Sequence, residues 1–245
     1  MAAPPDPPTN PRDASADHAT AGHASGPEAA PGPRSDVGVA VEVGRRTFIR
    51  HYRLDDAAEF TALARESTRL HRPWLFPPRT QADYVAYARR LLEDPSRTGY
   101  LVCDRADGRI AGFININNIV EGAFLSGALG YGAFAHAAGR GLMTEGLGLV
   151  VRHAFGPLGL HRLEVNIQPR NQSSIALVRR LGFRLEGFSP DFLFIDGAWR
   201  DHERWAITAE MELRSPRPAP GSGEANRPPE AERPTVPPGP SPPAR

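Results

Sequence analysis

The segment HAAGRGLMTE, from His136 to Glu145, has two glycines at the junction of a predicted strand and a predicted helix. Apolar residues from Leu129 to Ala135 predict the strand, and the helical spacing of the apolar residues that follow predicts the helix. Gly139 and Gly141 lack a Cβ atom and therefore let a ligand approach the backbone. The first turn of a helix has N–H groups without intrahelical partners and lies at the positive end of the helix dipole. The segment predicts an anion site suited to a pyrophosphate, and the alternative is a tight turn with no ligand.

The composition is that of one globular domain with additional segments. The chain has 245 residues, 40% of them hydrophobic, and a formal net charge of +1. Because the basic residues are scattered, nucleic-acid binding is not expected. No apolar run approaches the roughly 18 residues that span a bilayer, and the first residues lack the basic and apolar regions of a secretory signal. The single cysteine, Cys103, cannot form an internal disulfide, so a cytoplasmic protein is expected.

Proline marks both ends of the chain. Of the 26 prolines, eight precede residue 37 and 11 follow residue 213. Segments of this composition bury too little apolar surface to offset the entropy of ordering. We therefore expect residues 1–36 and 214–245 to be disordered and residues 37–213 to form the folded domain. A solvated linker is the simplest role for these tails, and docking of a partner as a polyproline helix is the alternative.

The core sequence predicts a mixed α/β (α+β) domain with hairpins on either side of one strand, glycine turn and helix. An Asp107-Gly108 pair predicts a type I′ hairpin turn, and Asp196-Gly197 predicts the turn of a final hairpin. The predicted strands are Arg46–Tyr52, Tyr100–Cys103, Arg109–Ile116, Leu129–Ala135, Arg162–Ile167, Phe192–Ile195 and Trp199–Ile207. Helices are predicted to begin near Asp55, Thr80, Leu142 and Asn171.

Several longer motifs resemble one known family. They are HRPWLFPP, IAGFININNIVEGAF, LGYGAFAHAAGRGLMTE, HRLEVNIQPRNQSS, RRLGFRLEG and DFLFIDGAWRDH. Together they resemble the GCN5-related N-acetyltransferase (GNAT) superfamily over about residues 41–212, and in particular the RimJ/RimL branch. One departure is His136, because the family usually has Gln or Arg at this position. The phosphate loop binds mainly through backbone N–H groups, so this change should lower affinity only modestly.

The resemblance implies a fold and a reaction. The fold is a mostly antiparallel sheet of about seven strands, splayed at its fourth strand and flanked by about four helices. The reaction is transfer of an acetyl group from acetyl-CoA, as co-substrate, to the N-terminal α-amine of a protein such as a ribosomal protein with an alanine N-terminus. Direct attack by the amine is expected, because Cys103 lies in a predicted buried strand with no histidine near it in the sequence.

The resemblance also implies cofactor-binding residues. Backbone groups of Phe134 and His136 would bind the pantetheine arm, and Asn171 would bond to the same arm or cap the helix that follows. Arg140 would add a charge to the phosphates or remain solvated. The amides expected at the pyrophosphate are those of Ala137, Gly139, Gly141 and Leu142.

Candidate catalytic residues follow from what acyl transfer to an amine requires. Many members of the family protonate the departing thiolate with a tyrosine, but Val178 stands at that position. Ser174 is the candidate donor instead, or a helix-capping serine. Glu164 is the first candidate base, or a solvent-facing strand residue, and Asp191 and His202 come next. Glu145 is expected to interact with the helix dipole. The eight histidines show no close metal-binding spacing, so no metal is expected.

Two other functions remain open at this point. One is acetylation of a small amine such as a polyamine, an antibiotic or an amino acid. The other is a non-catalytic CoA-binding module whose tails recruit partners. Acceptor choice is expected to depend on motif residues in the loop between the first two helices and in the final hairpin, namely Arg72, Trp74, Asp191, Asp196 and Asp201. The sequence does not predict the oligomeric state.

Overall fold

A computed structural model of the chain describes residues 40–214. The predicted disordered tails lie outside this range, apart from Arg214. The described residues form eight strands and six helices. The strands are β1 (Glu42–Val43), β2 (Thr47–His51), β3 (Thr98–Asp104), β4 (Ile110–Val120), β5 (Ser126–Ala133), β6 (Arg162–Ile167), β7 (Arg184–Ile195) and β8 (Ala198–Thr208). The helices are α1 (Ala57–Glu66), α2 (Thr68–His71), α3 (Gln81–Glu93), α4 (Leu142–Phe155), α5 (Gln172–Arg180) and α6 (Ala209–Arg214).

One sheet contains all eight of these strands, in the order β1-β2-β3-β4-β5-β6-β8-β7. Neighbouring strands are antiparallel except β5 and β6, which are parallel. The β5–β6 connection contains α4, as parallel neighbours require a long crossover. The mixed, mostly antiparallel sheet implied by the resemblance is therefore confirmed.

Each face of the sheet has its own hydrophobic core. Helices α4 and α5 cover one face, where Leu147 and Val178 pack on strand residues such as Val165. Helices α1 and α3 cover the other face, where Phe60 and Tyr84 contact each other. We call these the α4–α5 face and the α1–α3 face. Side chains alternate between the two faces along each strand, so successive residues of a strand join different cores.

The structure corrects several sequence-based details. It has eight strands where about seven were expected, and six helices where about four were expected. The additional β1 has two residues, and α2 and α6 have four and six, too few to produce a detectable periodicity. Strand β7 begins at Arg184, well before the predicted Phe192; its mostly exposed residues lack the alternation that marks a half-buried strand.

The two predicted hairpin turns differ in outcome. Asp196 and Gly197 have φ values of 50° and 77°, as a type I′ turn requires. The type I′ turn predicted at Asp107-Gly108 is wrong, because only Gly108 has a positive φ, of 74°. A longer loop connects these strands, and the Gly108 N–H donates to the Asp104 carbonyl. In residues 40–214, no helix is long and apolar enough to cross a membrane.

Candidate active site

A gap opens in the sheet between β5 and β6. The two strands pair from Ser126 with Arg162 to Leu129 with Val165, and β5 then continues to Ala133 paired with β4 alone. Backbone groups along a strand point alternately to its two neighbours. The Phe134 N–H donates toward β4, so the N–H groups of residues 131 and 133 point into the gap. The splay expected at the fourth predicted strand, which is β5 in the structure, is therefore present.

The end of β5 differs in detail from the expectation for pantetheine binding. The N–H of Phe134 donates to the Ala111 carbonyl, and its own carbonyl accepts from the Ala137 N–H. Both of its backbone groups are thus bonded within the protein, and its side chain is fully buried. The N–H groups that face the gap are those of Tyr131 and Ala133, although the Ala133 carbonyl is bonded to His71, so these two N–H groups are better placed than those of Phe134 for arm binding.

His136 lies in a single 3-10 turn, Ala135–Ala137, between β5 and the glycine turn. Burial lowers the pKa of its imidazole, and the positive charges of Arg109 and Arg140 lower it further. The ring is therefore neutral at neutral pH. His136 thus adds no positive charge to the phosphate loop, unlike the Arg that the family often has at this position.

The glycine turn has the backbone conformation that its residues predict. Gly139 and Gly141 have φ values of 74° and 78°, which side chains other than that of glycine rarely adopt. An added Cβ at Gly139 would meet no described atom within 4 Å, so the turn is open on its outer side. Gly141 is the N-cap of α4.

Backbone donors converge on this open turn. Among the described residues, no internal hydrogen bond is made by the N–H groups of Gly139, Gly141, Leu142, Met143 and Thr144. Three of them belong to the predicted set, and Met143 and Thr144 extend it. Ala137 does not belong, because its N–H donates to the Phe134 carbonyl. Together with the dipole of α4, these donors form an anion-binding cradle.

An unexpected residue brings a positive charge next to the cradle. An Arg46 Nη1 atom lies 4.0 Å from the position of an added Cβ at Gly141 and donates to the Arg140 carbonyl at 2.9 Å. The Arg140 guanidinium instead forms an ion pair with Asp104 at 2.9 Å. Glu145 accepts the Arg46 backbone N–H at 2.9 Å, which connects α4 to the start of β2. Arg46, rather than Arg140, is placed to contact a phosphate.

Ser174 and Asn171 meet at the start of α5, where the Asn171 side chain caps the helix by accepting the Ser174 N–H. The capping alternative for Asn171 is thus confirmed, and its bond to the cofactor arm stays a prediction. The Ser174 hydroxyl lies 2.6 Å from the hydroxyl of Tyr131. Tyr131 is on β5 just past the last β5–β6 pair, so this hydroxyl pair lies at the gap.

Comparison with known proteins bears on this arrangement of strand, glycine turn and helix. Residues 46–184, more than half of the chain, match the family described as acetyltransferase (GNAT) domain. The chain belongs to the GNAT acetyltransferases. The family expected from the sequence motifs is therefore confirmed.

Individual relatives are similar over different shares of this GNAT chain. The [ribosomal protein uS5]-alanine N-acetyltransferase of Escherichia coli (strain K12) is 40% identical over 105 residues, which are 43% of this chain and 54% of the relative. The chain thus spans about half the length of that relative. Spermidine N(1)-acetyltransferase of the same organism is 25% identical over 127 residues, 52% of this chain and 66% of the relative.

Among solved structures, Mycobacterium smegmatis RimJ in complex with CoA-disulfide has a TM-score of 0.63 to this GNAT domain. Its sequence identity is 29%, and the match covers 67% of this chain and 82% of that one.

Glu164 lies on β6 of the GNAT sheet and is out of phase with the buried Leu163 and Val165. It therefore faces away from the α4–α5 core, as its position in the strand predicts. Its carboxylate pairs with Arg162 at 2.8 Å, and Arg162 also pairs with Glu186. A base that is already bonded to a guanidinium must give up part of that bond to accept a proton, so the role of Glu164 stays a prediction.

The two secondary base candidates lie in the β7–β8 hairpin. An Asp201 carboxylate oxygen accepts the Asp191 N–H at 2.9 Å, which fixes the left-handed backbone of Asp191. His202 is buried against Phe192, and burial lowers its pKa. Its Nδ1–H donates to the Arg200 carbonyl, so its Nε2 atom carries the lone pair.

Helices α1 and α2 hold the end of β5 from the other face. The buried hydroxyl of Ser67 accepts the Ala135 N–H at 2.8 Å, and the buried His71 Nε2–H donates to the Ala133 carbonyl at 2.7 Å. Burial lowers the pKa of His71, which keeps its ring neutral. These two bonds fix the backbone beyond the gap.

The remaining acceptor candidates are separated in the fold. Arg72 follows α2 and stacks its guanidinium 5.1 Å from the Phe76 ring, and Trp74 is half-buried in the same loop. Asp196 is at the exposed tip of the β7–β8 hairpin, in the turn of that hairpin. In residues 40–214, no group of three or more His, Cys, Asp or Glu side chains is arranged to hold a metal ion.

Sequence reasoning missed Tyr131 and Arg46. Tyr131 was read only as part of the motif LGYGAFAHAAGRGLMTE, although a polar group at the end of an apolar strand next to a glycine turn was a signal. Arg46 is 94 residues from Arg140 in the sequence, and no local pattern connects the two. Cys103 is fully buried in β3, as expected.

Proposed function

We propose that this protein transfers the acetyl group of acetyl-CoA directly to the N-terminal α-amine of a protein, with a ribosomal protein as the acceptor class. One observation carries the proposal. The open cradle of backbone N–H groups directly follows the end of β5, and the Ser174 hydroxyl contacts Tyr131 of the same strand at the gap between β5 and β6. In a thioester with a phosphate-bearing tail, the phosphates suit the cradle and the thioester sulfur suits the Ser174 hydroxyl.

The described residues fit CoA on three grounds. The turn at Gly139 is open, so bulky phosphates meet no side chain there. Five N–H donors without internal acceptors in the described residues lie in this turn and the first turn of α4, and Arg46 adds a positive charge. The gap beside Tyr131 offers strand-like backbone groups to an amide-containing arm.

The chemistry then requires few groups from the protein. Acetyl-CoA supplies the activated acetyl group. The amine nitrogen bonds to the acetyl carbon while the carbon–sulfur bond breaks, and the excess proton of the amine passes to a base or to water. The Ser174 hydroxyl donates a proton to the departing sulfur and regains one from solvent. An α-amine has an ordinary pKa near 8, so a substantial fraction is already neutral near that pH.

The similarity to the uS5-alanine N-acetyltransferase supports a protein N-terminus with alanine as the acceptor. The similarity to the spermidine N(1)-acetyltransferase supports a second candidate, in which the acceptor is a small polyamine. The acidic residues of the β7–β8 hairpin would suit a cationic acceptor of either kind. A CoA-binding module without activity is the third possibility, and turnover distinguishes it.

A panel of amines tests the proposal. The protein is incubated with acetyl-CoA and peptides with free Ala, Ser or Met N-termini, a peptide with a blocked N-terminus and one free lysine, and spermidine. Products are identified by mass spectrometry, and thiol release is measured in parallel. We expect acetylation of the free N-termini, with alanine preferred, and none of the blocked peptide.

Two results would contradict this function. Acetylation of spermidine alone would support the small-amine candidate. Binding of acetyl-CoA with no product from any acceptor in the panel would support a non-catalytic module.

A further inference from the structure

We propose that Tyr131 is a positioning residue for acetyl transfer, which donates a hydrogen bond to the Ser174 hydroxyl and thereby aims the Ser174 proton into the gap between β5 and β6. The inference rests on the proposed function, because it concerns the residue that protonates the departing sulfur. It gives a tyrosine of β5 a supporting part in protonation of the thiolate, the step for which the family's usual tyrosine would stand at the position of Val178.

The direction of this hydrogen bond is inferred from the relative acidity of the two hydroxyls. The two oxygens are 2.6 Å apart, a normal distance for an O–H···O bond. Tyr131 is half-buried, and in the described part of the chain its hydroxyl makes this one hydrogen bond. A phenol is a stronger acid than an aliphatic hydroxyl and is therefore the better hydrogen-bond donor. On this ground we assign the donor role to Tyr131, so that the proton of Ser174 remains for another acceptor.

The surroundings of Ser174 limit which acceptors its hydroxyl proton can reach. Its N–H donates to the Asn171 side chain, which fixes the first turn of α5. Its hydroxyl makes no hydrogen bond to a carbonyl of the preceding turn among the residues described. With the oxygen held by Tyr131, the Ser174 proton is available to an acceptor in the gap, where β5 and β6 have separated.

Burial keeps the phenol in its donating form. It raises the pKa of Tyr131 to about 12. At pH 7 to 9 the phenol is thus protonated throughout. A protonated phenol can donate to the Ser174 oxygen throughout this pH range, as the positioning role requires.

Four variants test the assignment. They are Tyr131→Phe, Ser174→Ala, the double variant, and Tyr84→Phe as the matched control. Tyr84 is a buried tyrosine of α3 whose hydroxyl donates to the Arg53 carbonyl, away from the gap. Steady-state rates of thiol release are measured with the best acceptor of the amine panel, and kcat and the KM for acetyl-CoA are separated. Melting temperatures show that each variant is folded.

We expect Tyr131→Phe to lower kcat about fivefold to tenfold, the effect of one hydrogen bond, with the KM for acetyl-CoA within about twofold of the unmodified protein. Ser174→Ala should lower kcat further. The double variant should be no slower than Ser174→Ala, because Tyr131 acts through Ser174. Tyr84→Phe should leave both constants unchanged.

Two outcomes would overturn the assignment alone: a kcat for Tyr131→Phe within twofold of the unmodified protein, or losses that multiply in the double variant. The absence of thiol release from the unmodified protein with every acceptor would overturn the proposed function, and this inference with it.

Discussion

At the scale of single residues, the phosphate contact that the sequence suggested for Arg140 is better suited to Arg46. Arg140 is within the turn, but its guanidinium is bonded to Asp104. Arg46 immediately precedes β2, and its guanidinium lies beside Gly141. A guanidinium that already has a carboxylate partner has fewer donors for a phosphate, whereas the Arg46 guanidinium bonds a neutral carbonyl and forms no ion pair within residues 40–214.

This difference predicts unequal effects of two alanine substitutions. Arg46→Ala should raise the KM for acetyl-CoA about fivefold, equivalent to roughly 1 kcal/mol for a solvent-exposed contact to phosphate. Arg140→Ala should raise it less than twofold. Both constants are obtained from thiol release at varied acetyl-CoA. A larger effect at Arg140 than at Arg46 would contradict the geometry.

At the scale of elements, α2 holds the end of β5 through a neutral histidine. The folded-state pKa of His71 lies below its ordinary value of 6.5 because burial disfavours the charged ring. The neutral ring therefore stabilises the fold fully above pH 6.5, and this contribution declines as the pH falls below 6.5 toward the folded-state pKa. The unfolded chain binds the proton more readily, so acid favours unfolding.

Melting temperatures measured over a pH series test the direction of this pH dependence of stability. Between pH 7 and pH 5 the unmodified protein should lose stability, and His71→Gln should lose less over the same interval because one buried histidine is absent. His161→Gln is the control, since the His161 side chain is half exposed. A steeper pH dependence in His71→Gln than in the unmodified protein would contradict the role given to burial.

The elements also show which structural features can be predicted from the sequence. A strand at Leu129–Ala135, a glycine turn and a helix from Leu142 can be predicted because local conformation depends on Gly139, Gly141 and a helical stripe, and the structure places the strand at Ser126–Ala133. The N-cap at Asn171 is likewise a local feature. The bond between Tyr131 and Ser174 joins residues 43 apart in sequence, and the pairing of Arg140 with Asp104 joins residues 36 apart. Such contacts depend on the packing of distant segments, so no local pattern contains them.

At the scale of the whole molecule, residues 40–214 contain both hydrophobic cores and all eight described strands. The sequence predicts disorder for residues 1–36 and for the segment after 213, and α6 moves the second boundary to Arg214. A fragment of residues 37–214 should therefore melt within about 2 °C of the full chain and retain its kcat. Calorimetry and thiol release test this. A fall of many degrees would mean that the tails pack on the domain.

The four-pair ladder between β5 and β6 has a consequence for solvent access. The N–H groups of Tyr131 and Ala133 face the gap and should exchange their hydrogens with deuterium faster than those of residues 130 and 132, which pair with β4. A CoA arm lying along β5 would act as an extra strand and slow that exchange. Deuterium uptake at these two residues would therefore measure occupancy of the site without any acceptor present.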